Sequence, residues 1–287
     1  MKLGFFSMNT GYSMRPDRLA RALEDRGFES FWVGEHSHIP AKFSSPYPGG
    51  GELPKAYSNM MDPFVSLMAA AGATSSLKLG TGVCLVLERD LLALAKEVAT
   101  LDVLSGGRIL LGVGVGWNRE ELANHLPDLA FNRRYGAMRE RILALKQLWT
   151  EEVVTVKGNY VRLQDVVCLP KPVQRPHPPI IMGCWGEVGK RHTIEYCEGF
   201  GPVDASMRPT KEKLAEFRQQ AEDAGRDPAT IEITIFSFGT PKLARLQAYR
   251  EEGVGRVVLG TAHQELHEGD NALPFLDRYA SLVTELA

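Results

Sequence analysis

One pattern recurs eight times along the sequence: a short run rich in Ile, Val and Leu, followed by a segment with helical periodicity. The apolar runs do not alternate with polar residues, which is typical of parallel strands that are buried on both faces. Repeated strand–helix units that close on themselves form a (β/α)8 TIM barrel, here with insertion loops at the carboxyl ends of the strands. The alternative is a doubly wound open sheet, but no G-x-G-x-x-G fingerprint follows the first strand.

The predicted elements cover the chain without an internal boundary. The strands span residues 2–7, 30–35, 77–83, 108–113, 180–183, 200–203, 231–238 and 256–260. The helices span residues 16–26, 62–74, 90–105, 132–150, 186–197, 210–224, 242–252 and 271–286. Residues 153–163 alternate about Lys157-Gly158-Asn159, which predicts a two-stranded ribbon. Because α/β barrels often reach this length as one unit, we expect a single domain over residues 1–287.

Composition argues against several classes of function. The net charge is −2 and charges of both signs are mixed, which favours neither a nucleic acid nor a membrane surface as a partner. No apolar run approaches the roughly 20 residues of a membrane span, and the N-terminus lacks the apolar core of a signal peptide. The four cysteines are far apart, which indicates neither a zinc site nor a disulfide framework. These features predict a soluble, cytoplasmic protein.

The most informative stretch is LDVLSGGRILLGVGVGWNREE, residues 101–121. A helix ends at Gly106-Gly107, a strand follows, and Gly114-Val115-Gly116-Trp117 comes directly after it. Glycines at the carboxyl end of a buried strand let another group approach the backbone closely, because no Cβ stands in the way. The alternative is a tight turn that needs a positive φ. Trp117 either lines a ligand pocket or caps the barrel mouth, and Glu120 and Glu121 are predicted to lie in a solvated helical turn.

The second strand supplies a candidate for proton chemistry, since the active site of a barrel lies at the carboxyl ends of its strands. Glu35-His36 follows that strand. A histidine titrates near neutral pH and can hold or pass a proton. The alternative is a histidine that is hydrogen-bonded in a polar loop. His36 and His38 together suggest a metal, but no third ligand stands at a suitable spacing, so no metal site is predicted.

The fifth strand supplies a candidate anion site. It ends in Gly183-Cys184-Trp185-Gly186, which leads into a helix that carries Lys190 and Arg191. Free N–H groups at a helix start, with two nearby cations, favour a phosphate. The alternative is a structural turn. A long Pro/Gly-rich loop, residues 37–61, follows the second strand, and a loop of this length in a compact domain is usually functional or disordered.

Two motifs carry a resemblance to a known family. SGGR-x-x-LGVGVGW-x-x-EE, residues 105–121, and KPVQRPHPP, residues 171–179, are similar to the bacterial luciferase-like superfamily of flavin and deazaflavin oxidoreductases. The match is best with its coenzyme F420-dependent branch. It spans roughly residues 3–183 and fades beyond them. The resemblance implies a barrel enzyme whose cofactor supplies the hydride chemistry, while the protein binds, orients and shields it.

The resemblance also implies roles for the candidate residues. Glu35 and His36 match the acid–histidine pair beside the deazaflavin ring, and His36 would poise a proton there. Gly82-Val83 matches the position of a non-prolyl cis peptide beneath the ring. The segment from Gly183 to Gly186 would bind the cofactor phosphate, with Cys184 where a second glycine is usual. The other implied contacts are Gly114, Gly116 and Trp117 with the cofactor, and Phe43, Tyr47 and Tyr57 with the substrate.

The function predicted from these features is hydride transfer between coenzyme F420 and a small organic substrate, with His36 and Glu35 as catalytic residues. One alternative is an FMN-dependent monooxygenase that a reductase supplies with reduced flavin. A flavin-binding barrel without turnover also stays open, because Cys184 and residues 199–202 depart from the family pattern. A lyase or isomerase lacks an obvious Lys or carboxylate pair at the strand ends. The expected partners are a small-molecule substrate, a second copy in a homodimer, and a flavin or F420 reductase.

Overall fold

The computed structural model describes residues 1–184, 186–208, 210–260 and 268–286. The strands are β1 (Lys2–Ser7), β2 (Ser30–Val33), β3 (Lys78–Thr81), β4 (Cys84–Leu85), β5 (Ile109–Gly114), β6 (Val154–Lys157), β7 (Arg162–Val166), β8 (Ile180–Met182), β9 (Gly199–Phe200), β10 (Glu232–Phe238) and β11 (Arg256–Gly260). The helices are α1 (Pro16–Glu24), α2 (Pro63–Ala73), α3 (Leu91–Ser105), α4 (Arg119–His125), α5 (Arg134–Thr150), α6 (Glu187–Tyr196), α7 (Thr210–Asp223), α8 (Leu243–Glu251) and α9 (Ala272–Leu286).

The main sheet closes into a barrel of parallel strands. From β1 the hydrogen-bonded order runs through β2 and β3 to β5, and then through β8, β9, β10 and β11 back to β1. The short β4 continues β3 along the chain and also pairs with β5, so the barrel has eight strand positions. The predicted (β/α)8 barrel is confirmed. The doubly wound alternative is excluded, because such a sheet does not close.

Both faces of the strands are apolar because each face packs against a separate core. On β1, Phe5 points outward and packs against Phe275 of α9, with ring centroids 5.8 Å apart, whereas Phe6 points into the barrel. The barrel interior is filled by Phe6, Met8, Trp32, Ala56, Leu110, Ile181, Phe236 and Val258. This two-sided burial explains why the strand sequences do not alternate between apolar and polar residues.

Local signals in the sequence account for several helix boundaries. Asp62 caps α2 by accepting a hydrogen bond from Val65 N–H at 2.9 Å, and Pro63 occupies the first helical position. Gly106 ends α3 with a φ of 68°, in the left-handed region that glycine adopts without strain. Within the described ranges, no helix combines the length and the apolar character needed to cross a membrane.

One further predicted element is confirmed, and three are extended or corrected. The ribbon is confirmed as antiparallel β6–β7. The helical turn predicted at Glu120 and Glu121 is the start of a seven-residue helix, α4, whose full extent was not predicted. The strand predicted over residues 77–83 is limited to β3, and the short β4 follows it at Cys84–Leu85. The strand predicted over 200–203 is only Gly199–Phe200, and Val203 forms an isolated bridge to Phe236.

Candidate active site

His36 follows β2 at the mouth of the barrel, where its side chain is only 6% exposed. Its Nδ1 lies 2.6 Å from Oε2 of Glu121, and Trp117 donates its indole N–H to Nε2 at 3.2 Å. Because an indole nitrogen only donates, Nε2 is the acceptor of this pair. The neutral imidazole therefore carries its proton on Nδ1, directed at Glu121, and its Nε2 lone pair accepts the Trp117 N–H.

Trp117 is the centre of an aromatic cluster that brings the predicted substrate residues together. Its ring centroid lies 6.1 Å from that of Phe43, 5.9 Å from Tyr47, 6.4 Å from Tyr57 and 5.8 Å from His36. Tyr57 also packs 5.2 Å from His36. We call Phe43, Tyr47, Tyr57 and Trp117 the loop cluster, since three of them belong to residues 37–61. The loop cluster covers His36.

Glu120 fastens this loop to α4. Its carboxylate accepts hydrogen bonds from the N–H and hydroxyl of Ser44, both at 2.8 Å, and from the Ser45 hydroxyl at 2.6 Å. The hydroxyl of Ser45, followed by the two donors of Ser44, lowers the pKa of Glu120 to about 2. Ser45 in turn accepts a hydrogen bond from the N–H of Arg119 at 2.9 Å. The prediction of a merely solvated Glu120 was therefore incomplete.

Glu121 is buried, with 1% of its surface exposed, so its prediction as part of a solvated turn was wrong. The cause is the start of α4. The side-chain oxygen of Asn118 accepts hydrogen bonds from the N–H groups of Glu120 and Glu121, each at 3.0 Å. This cap fixes the first helical turn, and the carboxylate of Glu121 then reaches His36.

Glu35, predicted to act beside His36, is occupied by other donors. Its carboxylate accepts hydrogen bonds from Leu85 N–H at 2.8 Å and from Arg89 Nε at 2.5 Å. Burial raises the pKa of Glu35, and Arg89 and the Leu85 N–H oppose that shift. Arg89 also binds Asp62 and Glu97. The contacts of Glu35 and Arg89 connect β2, β4, α2 and α3, which is the arrangement of a residue that positions its neighbours. The catalytic role of Glu35 stays a prediction.

The cis bond that was predicted between Gly82 and Val83 is present. The methyl groups of Val83 occupy the space that a Cβ would fill at two of the predicted cofactor glycines. A Cβ added to Gly114 or to Gly183 would lie 2.5 Å from a methyl carbon of Val83. Gly116 has a φ of 72°, as the tight-turn alternative requires. Local packing or a positive φ therefore explains why glycine occupies all three positions. Their contact with a cofactor stays a prediction.

The turn from Gly183 to Gly186 tolerates its cysteine. Cys184 has a φ outside the left-handed region, and its sulfur packs 3.8 Å from the Thr193 hydroxyl, against α6. Burial raises the pKa of the Cys184 thiol to about 12, so it is a neutral packing group. Among the described residues, no side chain caps the start of α6, and a Cβ added to Gly186 would meet none of their atoms within 4 Å. Trp185 lies outside the described residues.

Lys190 does not supply the free positive charge that was predicted beside this turn. It is buried, and its Nζ lies 2.7 Å from Glu187 and 3.0 Å from Glu216. Two acids therefore compensate its charge. Arg191 is exposed on α6. After β9, where the family pattern is interrupted, Glu198 accepts hydrogen bonds from Lys146 and from the N–H of Ile180.

Two acids near His36, Glu88 and Glu121, were missed as functional candidates. Asn118-x-x-Glu121 has the spacing of a capping box, which would have predicted a helix start there. No pattern marks Glu88. Among the described residues, no three His, Cys, Asp or Glu side chains are grouped to hold a metal. His263 and His267, interpreted from sequence as a surface pair, lie outside the described residues.

The architecture and the position of His36 define a (β/α)8 barrel with a candidate site at the carboxyl ends of its strands. The model of the luciferase-like monooxygenase family matches residues 8–272, and the chain belongs to that family. The predicted family membership is confirmed.

Relatives of the chain use two different cofactors. It is 34% identical to an uncharacterised protein of Mycobacterium tuberculosis over 98% of both chains. It is 28% identical to the F420-dependent hydroxymycolic acid dehydrogenase of that organism, over 76% of this chain and 57% of the relative. It is 42% identical to the FMNH(2)-dependent dimethylsulfone monooxygenase of Pseudomonas putida, over 50% of this chain and 39% of the relative. The family thus contains F420-dependent and FMN-dependent oxidoreductases.

Solved structures share the fold. A monooxygenase from Streptomyces bottropensis matches with a TM-score of 0.78 and 19% identity over 100% of both chains. The F420-dependent tetrahydromethanopterin reductase of Methanopyrus kandleri matches with a TM-score of 0.73 and 18% identity over 99% of both chains. At these identities the likeness extends to the fold alone.

Proposed function

We propose that this protein transfers a hydride between coenzyme F420 and a small organic substrate, and that His36 holds the accompanying proton. The proposal rests on one observation, the 2.6 Å contact between Nδ1 of His36 and the buried Glu121 beneath the loop cluster. Glu121 would stabilise the protonated imidazole, so Nε2 could take a proton from a substrate hydroxyl, or return one to a carbonyl, once the substrate displaces the indole N–H of Trp117. A general acid or base of this kind complements hydride transfer in either direction.

The residues present fit both ends of such a cofactor. When bound, F420 accepts or donates the hydride. The backbone at Gly82-Val83 and the side chain of Trp117 would contact its ring. The start of α6, beginning after Gly186, would bind its phosphate, because uncapped N–H groups at a helix N-terminus favour an anion. The compensated charge of Lys190 leaves the backbone as the main donor at this turn.

The remaining groups position the reactants and exclude water. Phe43, Tyr47 and Tyr57 would contact the substrate and separate His36 from solvent. Glu120 holds their loop against α4 through Ser44 and Ser45. Exclusion of water strengthens the electrostatic interaction between His36 and Glu121, because the local dielectric is low.

Relatives support F420 over FMN by the extent of their match. The F420-dependent dehydrogenase aligns with 76% of the chain, whereas the FMNH(2)-dependent monooxygenase aligns with 50%. The second function that we consider is an FMN-dependent monooxygenase, since the shorter match has the higher identity, 42%.

Fluorescence titration of the purified protein with oxidised F420 and with FMN tests the proposal. We expect F420 to bind at least about tenfold more tightly, or about 1.4 kcal/mol. Equal or reversed affinities would favour the monooxygenase. The absorbance of F420 is then followed with alcohols and ketones of increasing size, which identifies the class of substrate.

A further inference from the structure

Three buried carboxyl groups lie near His36, and they differ in how their charge is compensated. Glu35 binds Arg89, and Glu121 binds His36. The side chain of Glu88 is 3% exposed. Within the described part of the chain, neither oxygen of Glu88, nor Oε1 of Glu121, meets a hydrogen-bond donor from an N–H or hydroxyl group. Buried oxygens without donors are costly as charges, so these two acids require another form of compensation.

Glu88 and Glu121 are neighbouring buried acids whose donor-free oxygens share one interior region, since α4 packs over the turn that carries Glu88. Burial, followed by the charges of Glu121 and Glu35, raises the pKa of Glu88 to about 9. The charged or titratable groups around it are Glu121 and His125 from α4, Glu35 after β2, the neighbouring Arg89, and Arg141 of α5, which donates to backbone carbonyls. A single proton held between the two carboxyls at neutral pH serves one oxygen of each acid, and Oε2 of Glu88 faces His125.

A route from this pair to the surface passes through the far end of α4. Oε2 of Glu88 lies 3.9 Å from Nε2 of His125, a gap that one water or a small rotation of the imidazole spans. The His125 side chain is 28% exposed, and its Nε2 lies 2.8 Å from the hydroxyl of the exposed Ser37. Burial lowers the pKa of His125, so the neutral imidazole is favoured, and a proton that reaches it passes on readily to solvent.

We propose that Glu88 and Glu121 share one proton, and that this pair relays protons between His36 and His125 beneath the loop cluster. As Nε2 of His36 gains a proton, its Nδ1–H moves to Oε2 of Glu121, the shared proton moves to Glu88, and Glu88 gives one proton to His125. One proton enters and one leaves, no electrons move, and the pair ends with the single proton it began with.

The relay rests on the proposed function, whereas the shared proton does not. His36 gains or loses one proton in each hydride transfer, and the loop cluster covers it from the barrel mouth. A path along the inner face of α4 exchanges that proton without movement of the loop. Glu88 acts through Glu121 and is a positioning residue, so its test needs a readout that depends on the proton.

Infrared spectroscopy of the protein without cofactor tests the shared proton. We expect the wild type at pH 7 to show the carbonyl stretch of a protonated carboxylic acid, and Glu88→Gln to lose it. Glu97→Gln is the matched control, because Glu97 is a partly exposed acid that binds Arg89. The control should keep the band. Absence of the band in the wild type, or its survival in Glu88→Gln, would overturn the shared proton.

Kinetics and NMR titration test the relay. We expect Glu88→Gln to lower kcat roughly tenfold with little change in KM, and to flatten the alkaline side of the pH profile. The His36 resonances of the wild type should shift as Glu88 ionises, and this shift should be absent from the variant. His125→Phe alters a partly exposed position outside the hydrophobic core, and it should lower kcat to a similar extent.

The outcomes separate the two proposals. If Glu88→Gln removes the infrared band but the wild type does not turn over F420, the proposed function is rejected and the shared proton stands. Full kcat in both Glu88→Gln and His125→Phe, in an enzyme that does use F420, would reject the relay and leave the function intact.

Discussion

At the amino ends of the strands, Arg256 is 1% exposed, and each of its three guanidinium nitrogens donates to an acid or hydroxyl. It binds both oxygens of Glu29 at 2.8 Å, Glu232 at 2.9 Å and the Thr234 hydroxyl at 3.0 Å. At the carboxyl ends, Glu88 is as deeply buried, yet in the described part of the chain its oxygens meet no such donor.

The two clusters respond differently to burial. Burial lowers the pKa of Arg256, but the bonds and charges of Glu29 and Glu232 outweigh it, so the net pKa is raised and the charge is kept. For Glu88, burial and two neighbouring acids act in the same direction, so the charge is lost at neutral pH. Arg256 thus keeps its charge because acids surround it, whereas Glu88 holds a proton because its neighbours are acids as well.

The largest effect that we predict concerns the amino end. Arg256→Met should lower the free energy of unfolding by about 3–5 kcal/mol, because it leaves Glu29 and Glu232 without their buried partner. Urea denaturation measures it. Lys2→Met is the control, since Lys2 is exposed and binds the same Glu232 at 2.7 Å, and it should change stability by less than about 1 kcal/mol. Equal losses in the two variants would contradict a special role for the buried cluster.

The second prediction concerns chemistry at the carboxyl end. His36→Ala should lower turnover about a hundredfold, or about 2.7 kcal/mol of barrier, because it removes the group that holds the proton. The affinity for F420, measured by fluorescence in the same variant, should change much less. Unchanged turnover would mean that His36 is only a hydrogen-bonded loop residue. Equal losses in F420 affinity and in turnover would mean that His36 acts by contacting the cofactor ring.

The fold was predictable because the strand sequences are apolar throughout, which indicates burial on both faces. Apolar runs that do not alternate with polar residues predicted parallel strands with both faces covered. The presence of eight such runs predicted that the sheet closes into a barrel. The aromatic loop residues came together with His36 for a related reason: parallel strands bring all their carboxyl ends to one face. The cis bond at Gly82-Val83 was implied by the family resemblance and by no physical rule.

The buried acids were not predictable, because their environment is tertiary. Glu120 and Glu121 are adjacent in sequence, yet one binds a surface loop and the other lies in the interior. A helix of seven residues shows too little periodicity to separate them. Lys190 has Glu187 three residues before it, which predicts a local ion pair, but Glu216 reaches it from α7. Glu88 becomes buried only when α4 packs over it.

The smallest effect that we predict separates the two ends by pH. Glu88→Gln should stabilise the protein at pH 8 by at least about 1 kcal/mol and have little effect at pH 5, because one unit of pKa shift corresponds to about 1.4 kcal/mol. The folded-state pKa of Glu88 is raised to about 9, above its unfolded value of about 4.3. Its contribution is therefore fully present below the unfolded pKa and is lost as pH rises through the folded pKa.

Glutamine keeps the shape of the protonated acid and does not titrate, so the difference between variant and wild type should grow steadily over this range of pH. Glu97→Gln should show no such growth, because Glu97 is partly exposed and has Arg89 as its partner. Urea denaturation at several pH values measures both variants. A gain that is equal at pH 5 and pH 8 would mean that Glu88 is ionised in the folded protein, and the carboxyl end would then compensate its charges as fully as Arg256 does at the other.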